Sequence, residues 1–470
     1  MPEMHANQVI IEPVSLPESH CLSDVFASVS QTEMATLLDS AGGQQDGRFS
    51  VMLWSPFRVI RTRHGKTLSY CCETGHTELH NSTPFQVVAD CHKQYFSDLT
   101  IHPDSRHLAD RLPFIIGVAG FAGYDIGRCY ETLPNHANDD YRCADLAVGC
   151  FTQSLIQDNQ TGQVYHCRLA SLPVLDRSFL FSGDDDRSSG QPFTLTSPWR
   201  SNLTKVAYVD ALHRIDAYLN AGDCYQVNMA QRFSAACTGD PFEAYQRLRQ
   251  ANQAPFSAFI RSEESVILSI SPERFLSVDR DGHVQTKPIK GTRPRGNTPE
   301  QDAAIANELL SAEKDRAENL MIVDLLRNDI SKHCQPGSVT VPALFALESF
   351  PAVHHMVSTV TGQLGETSTP LDLLAGAFPG GSITGAPKVR AMEIIDELEP
   401  HRRNIYCGSV FYMGMLGDMD SSICIRTLLI ENQTIHCWAG GGIVLDSDPL
   451  SEYQETLDKV AKILPVLDNS

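Results

Sequence analysis

The chain has 470 residues, 42% of them hydrophobic and 20% charged, with a net charge of −20. That composition builds a large core without help from disulfides or metals. An acidic surface repels phosphate backbones and anionic lipid, which argues against nucleic acid and membrane as partners. An anionic substrate would need local cations, free N–H groups or a metal to reverse the field.

In chain order, Met1 to His5 lacks the basic and apolar regions of a signal peptide. The 14 cysteines contain no C-x-x-C pair, so zinc spacing is missing and reduced thiols in a cytoplasmic protein are expected. Phe49 to Trp54 reads as a strand, and Leu112 to Tyr124 is apolar but too short to span a bilayer. Gly183 to Pro192 is polar with glycine at its start and near its end, and reads as a linker. Lys205 to Ala221 should form a helix closed by Gly222, and Tyr225 to Phe233 alternates like a strand. Val266 to Val278 and Ile423 to Ile430 look like further strands. Pro299 to Lys332 reads as helical throughout, and Asp448 should cap a helix running from Pro449 to about Leu464. Strands and helices alternate, so the class is α/β or α+β.

Several segments could carry chemistry. At about 100° per residue, Glu318 falls among Met321, Ile322 and Leu325, with Asp315 one turn earlier. A carboxylate on an apolar face is ion-paired or holds a metal. Glu452 and Glu455 repeat the three-residue spacing, opposite a stripe of Leu450, Tyr453, Leu457, Val460 and Leu464. That face reads as solvated, or as lining a water-filled cleft. Four such carboxylates suit Mg²⁺, a hard cation that keeps several waters. Gly440, Gly441 and Gly442 would let backbone N–H groups approach a ligand, and Pro379 to Lys388 is either a ligand loop or plain turn chemistry. Lys290, between Ile289 and Gly291, is a loop cation or a nucleophile.

Five motifs occur in order: Ser271-Pro272-Glu273-Arg274-Phe275, Pro288-Ile289-Lys290-Gly291-Thr292, Glu318-Asn319-Leu320-Met321-Ile322-Val323-Asp324-Leu325-Leu326-Arg327-Asn328-Asp329, Gly385-Ala386-Pro387-Lys388 and Ala439-Gly440-Gly441-Gly442. Together they resemble the chorismate-utilising family, which contains the anthranilate and aminodeoxychorismate synthase components I and the isochorismate and salicylate synthases. The resemblance is dense over residues 200 to 465 and thinner before them, through Leu37 to Ser40 and Gly120 to Arg128. It implies an α+β fold of two large antiparallel-rich sheets packed face to face with outer helices. An N-terminal region over 1–200 and a catalytic region over 201–470 follow from it.

By the same resemblance, Glu318 and Glu455 hold Mg²⁺ with Asp315 and Glu452 nearby. Asp315 stands where relatives often carry glutamate, so its contact with the metal would pass through water. Gly291, Thr292, His355, Ser382, Tyr406, Arg426 and Gly440 to Gly442 would bind chorismate. Lysine before Gly291-Thr292 is typical of the aminodeoxychorismate branch, where anthranilate synthases carry alanine. Lys290 would then add covalently to the ring, with Glu273 as general acid. No glutaminase triad is present in the sequence, so a glutamine amidotransferase subunit is the expected partner. Ser40, Arg48, Phe49, Pro255, Phe256 and Ser257 resemble the family's amino-acid pocket and could hold L-tryptophan. Anthranilate synthesis and a silent tryptophan-binding regulatory subunit are the competing expectations.

Overall fold

The computed structural model describes residues 7–17, 20–40, 47–176, 179–180, 191–350 and 353–468. Apart from Gln191 and Pro192, the expected linker lies outside the described residues. Two large sheets dominate, one of 14 strands and one of 12. The strands named here pair antiparallel, except where Gln8–Val14 runs parallel to Thr100–Ile101.

Each sheet draws on both halves of the chain. In the larger sheet Thr36–Asp39 pairs with Phe256–Arg261, and Gln226–Thr238 pairs with Thr434–Ile443. In the smaller one Gly117–Ala122 pairs with Ser409–Gly414. One core cluster joins Val51, Ile156, Ile260 and Trp438 of the first sheet to Val118, Phe121, Val148 and Leu276 of the second. Alternation explains the division of labour, because neighbouring side chains on a strand face opposite ways. On Gln226–Thr238, Ala230 joins that inner core, while Val227 and Met229 meet the helices Lys205–Ala221 and Lys388–Leu398 outside. Fully burying one such aliphatic side chain contributes about 1.5–3 kcal/mol, so these faces dominate the favourable side of folding.

The helix Lys205–Ala221 starts where the Thr204 hydroxyl accepts from Ala207 N and stops at Gly222, whose φ is +79°. The stretch from Pro299 is broken, contrary to expectation, at Ala312, whose extended ψ of 105° separates the helices Pro299–Ser311 and Glu313–Ser331. No helix among the described residues is long and apolar enough to cross a membrane. All 14 cysteines are free thiols.

Candidate active site

Two crossings between the sheets place the central residues. The apolar run from Val266 is not one strand: Ser265–Ser271 belongs to the larger sheet and Arg274–Val278 to the smaller. Glu273 sits in the crossing. The run from Ile423 splits likewise, leaving the smaller sheet after Met419–Ile423 and entering the larger at Thr427–Glu431. Arg426 sits in that crossing with a left-handed φ of +50°. The crossings are tied together: Ile423 N donates to Glu273 O at 3.1 Å, and Ser271 Oγ donates to Ile423 O at 2.6 Å. Glu273 is buried, and burial pushes its carboxyl up to about 7 against the pull of Lys290, an Ile289 N–H and Arg426.

Lys290 lies on Ile289–Pro294, an edge strand of the smaller sheet. Its pairing with Val353–Gln363 slips between Ile289 and Thr292, and Gly291 within the slip has φ +83°. Such a bulge re-aims the neighbouring side chain. A Cβ on Gly291 would lie 2.8 Å from Leu309 Cδ1 and 3.1 Å from Asp315 Cγ, so both backbone and space demand glycine. The Lys290 charge pulls on Glu273, Glu318 and Glu455 alike, yet among the described residues its ammonium has no hydrogen-bond or ion-pair partner. Beyond the bulge, Thr292 Oγ1 meets His355 Nδ1 at 2.8 Å. Burial, helped by Arg426, lowers the His355 ring to about 4, so it is neutral at pH 7.

The four expected acids come from the helices Glu313–Ser331 and Pro449–Val460. Asp448 starts the second by accepting from Ser451 N at 2.8 Å. The expected stripe packs at Tyr453, Leu457, Val460 and Leu464, and the sequence reading fails at Glu452 and Leu450. Glu452, Thr456 and Val460 are buried, whereas Leu450 is exposed. Glu452 is satisfied there by Ser447, whose hydroxyl donates to Oε1 at 2.7 Å. Burial raises the Glu318 carboxyl, against Lys290 and Lys314. Burial also pushes Glu455 upward, but Lys459 at 2.6 Å more than offsets this and leaves it below the usual range. Asp315 is engaged elsewhere, its Oδ2 accepting from Arg293 Nη2 at 3.0 Å.

Three cations were not anticipated from the sequence: Arg293 on Asp315, Lys459 on Glu455, and Lys314 between Glu318 and Glu452. The Lys314–Glu318 and Glu455–Lys459 spacings of four residues were a readable signal.

The glycine run lies against the second pair. A Cβ on Gly441 would meet Glu452 Oε2 at 3.1 Å and Glu455 Oε1 at 3.7 Å, and Lys459 Nζ donates to Gly440 O at 2.9 Å. Thr434–Ile443 pairs along most of its length with Gln226–Thr238, but its other neighbour Thr427–Glu431 ends opposite Cys437. Trp438 to Ile443 therefore keep one edge free of strand pairing, with Gly440 to Gly442 upon it. Tyr406 is buried beneath this strand, stacked on Trp438 at 6.1 Å with the Arg403 guanidinium 5.5 Å from its ring. Arg426 is exposed to solvent and unpaired among the described residues.

Packing explains much of Pro379 to Lys388. Ser382 lies in the turn Gly381–Ile383, where a Cβ on Gly381 would overlap Leu325 of the carboxylate helix. Lys388 Nζ binds Asp329 Oδ2 at 2.8 Å, and Arg403 Nη1 binds Ile383 O at 2.9 Å. A hard divalent cation suits the oxygen donors of Glu318, Glu452 and Glu455. Lys314 pairs with both Glu318 and Glu452 and Lys459 with Glu455, and the ligand atoms of the three acids do not all lie within 4.8 Å of one another. Among the described residues, the one trio with ligand atoms mutually within 4.8 Å is the exposed Asp279, Asp281 and His283.

All six residues of the expected amino-acid pocket line one cavity of about 360 Å³. Ser40 Oγ donates to Phe49 O at 2.9 Å, closing one wall, and the Arg274 guanidinium lies 5.1 Å from the Phe256 ring. Arg274 also binds Asp420 through two contacts of 3.0 Å. Small-molecule sites occupy about 300–1,000 Å³, so the cavity is of ligand size.

Residues 33–465 match the chorismate binding enzyme family. The chain is 48% identical over 444 residues to aminodeoxychorismate synthase component 1 of Escherichia coli, covering 94% of this chain and 95% of that one. Its identity to the protein of that name from Salmonella typhimurium is 46% over 445 residues, with the same coverage. Among solved structures, anthranilate synthase component I from Streptococcus pneumoniae superposes with a TM-score of 0.75 at 30% identity, covering 89% of this chain and 92% of that one.

Proposed function

Because the chain belongs to the chorismate binding enzyme family, we propose that it converts chorismate and ammonia to 4-amino-4-deoxychorismate, towards p-aminobenzoate and folate. The observation that carries this reading is Lys290, an unpaired ammonium on a bulged edge strand beside Glu273, Glu318 and Glu455. Relatives named for this activity resemble the chain over nearly its whole length.

Lys290 first gives a proton to solvent and, as the free amine, attacks ring carbon 2. The ring double bonds shift and the C4–O bond breaks. Glu273 protonates the departing hydroxyl, which leaves as water. Ammonia then adds at C4, the double bonds shift back, and the C2–N bond to Lys290 breaks. The proton lost by the new amine restores Glu273. Two easier displacements replace one hard one, which is the benefit of a covalent nucleophile. The enolpyruvyl group is retained, so aromatisation falls to a separate lyase.

Arg426, Thr292, neutral His355 and the free edge at Gly440 to Gly442 would bind the substrate's oxygens, with Ser382 and Tyr406 shaping the surroundings. Mg²⁺ held by Glu318 and Glu455 would offset carboxylate charge and orient the ring. A separate glutamine amidotransferase subunit would supply ammonia. The cavity around Ser40, Arg48, Phe49, Pro255, Phe256 and Ser257 would hold L-tryptophan. The purified chain, denatured and examined by mass spectrometry, is expected to release about one tryptophan per molecule. Release of none would leave the cavity without that ligand.

Incubating the chain with chorismate, Mg²⁺ and an ammonium salt at mildly alkaline pH tests the activity. The expected product is aminodeoxychorismate, seen by mass or as p-aminobenzoate once the lyase is added. Fluorescent anthranilate instead would overturn the reading.

A further inference from the structure

Lys314 opens the helix Glu313–Ser331 and lies between two carboxylates of different helices. Its Nζ is 3.9 Å from Glu318 Oε1 and 3.6 Å from Glu452 Oε1. Both separations give ion pairing without a direct hydrogen bond. The partners differ in freedom: the side chain of Lys314 is 55% exposed, against 18% for Glu318 and 6% for Glu452. Glu452 is also fixed by Ser447. The acids are therefore the fixed members of the triad and the lysine is the movable one.

We propose that Lys314 is a built-in counter-cation, holding Glu318 and Glu452 in the metal-free protein and giving way when a divalent cation binds. The inference rests on the metal reading above and adds a positioning role for Lys314, which acts through the two glutamates. Two like charges cannot share the same buried carboxylates cheaply, so the ammonium must swing out before the metal settles. The ammonium itself is more than half exposed, so water can take it up as it swings out. The consequence is a metal site kept weak in the free protein.

Mn²⁺ titrations of the full chain without substrate, followed by the electron paramagnetic resonance of free Mn²⁺, test this. Lys314→Met should bind Mn²⁺ about 5- to 20-fold more tightly than the wild type, and Lys314→Gln should do the same if the methionine variant fails to fold. Lys314→Arg keeps the charge and should stay within about twofold of the wild type. Unchanged or weaker binding in both neutral variants, with a wild type that binds, overturns this inference alone. Absence of Mn²⁺ binding at millimolar concentrations in wild type and variants removes the metal reading and this inference with it.

Discussion

Lys290→Ala should lose at least about 10³-fold in kcat/KM for amination, because the amine proposed to open the C4–O bond is removed. In the metal-free chain the neighbouring cations are paired, Lys459 with Glu455 and Gly440, Lys314 with Glu318 and Glu452. The bulge at Gly291 fixes where the position-290 side chain points, so a shorter side chain leaves a gap there. Chorismate binding, for which Arg426 and the glycine edge are proposed, should weaken by less than about tenfold. A second readout separates covalent chemistry from electrostatics. With ammonia withheld, intact-mass analysis of the wild type should show the chain heavier by one chorismate less one water, with the adduct mapping to Lys290. An alanine variant of wild-type rate, or a wild type that never forms the adduct, would remove the covalent step.

Glu273→Gln should cost about 10²–10⁴-fold, the usual share of a positioned general acid. The acid works only when protonated. With its carboxyl at about 7, the protonated fraction falls as pH rises through that value. At constant free ammonia, the ratio of wild-type to Glu273→Gln kcat/KM, in which the need of both for a free amine at Lys290 cancels, should therefore decline above pH 7, approaching tenfold per unit. A ratio that does not change with pH would assign the titration to another group. Stability carries the same signature. The folded carboxyl lies above its ordinary 4.5, so its ionisation is disfavoured in the fold and stability is lost as pH rises from about 4.5 to 7. That loss is about 3 kcal/mol at most, since one unit is worth about 1.4 kcal/mol. Glu273→Gln escapes it and should melt higher than the wild type at pH 8 but not at pH 4.

Local signals survived into the structure wherever one element obeys one period. Thr204 and Gly222 bound a helix as their chemistry demands, and Asp448 with Pro449 starts another. Alternation from Tyr225 was recognisable, although the strand runs on to Thr238. The crossings could not be read in this way. Val266 to Val278 and Ile423 to Ile430 are apolar on either side of their crossings, because each sheet buries its own part, and periodicity does not register a change of sheet. Yet those are the places where Glu273 and Arg426 sit. Two positions of the last helix were misread for a related reason. Glu452 is covered by Ser447 and Gly441, partners remote in kind from an apolar stripe, while Leu450 at the first turn projects past the packed surface. The acids themselves were found by motif, and the lysines between them only by geometry.

The shared strands of the two sheets also dictate an order of events during synthesis. As the chain leaves the ribosome, Thr36–Asp39 waits for Phe256–Arg261, and Gly117–Ala122 waits for Ser409–Gly414. Gln226–Thr238 meets its long neighbour only when Thr434–Ile443 emerges, roughly two hundred residues later. Until then several apolar strands have unpaired backbone on at least one side, the condition under which nascent chains join one another. The helix with Glu452 and Glu455 is made later still, so the candidate site is among the last parts of the molecule to exist.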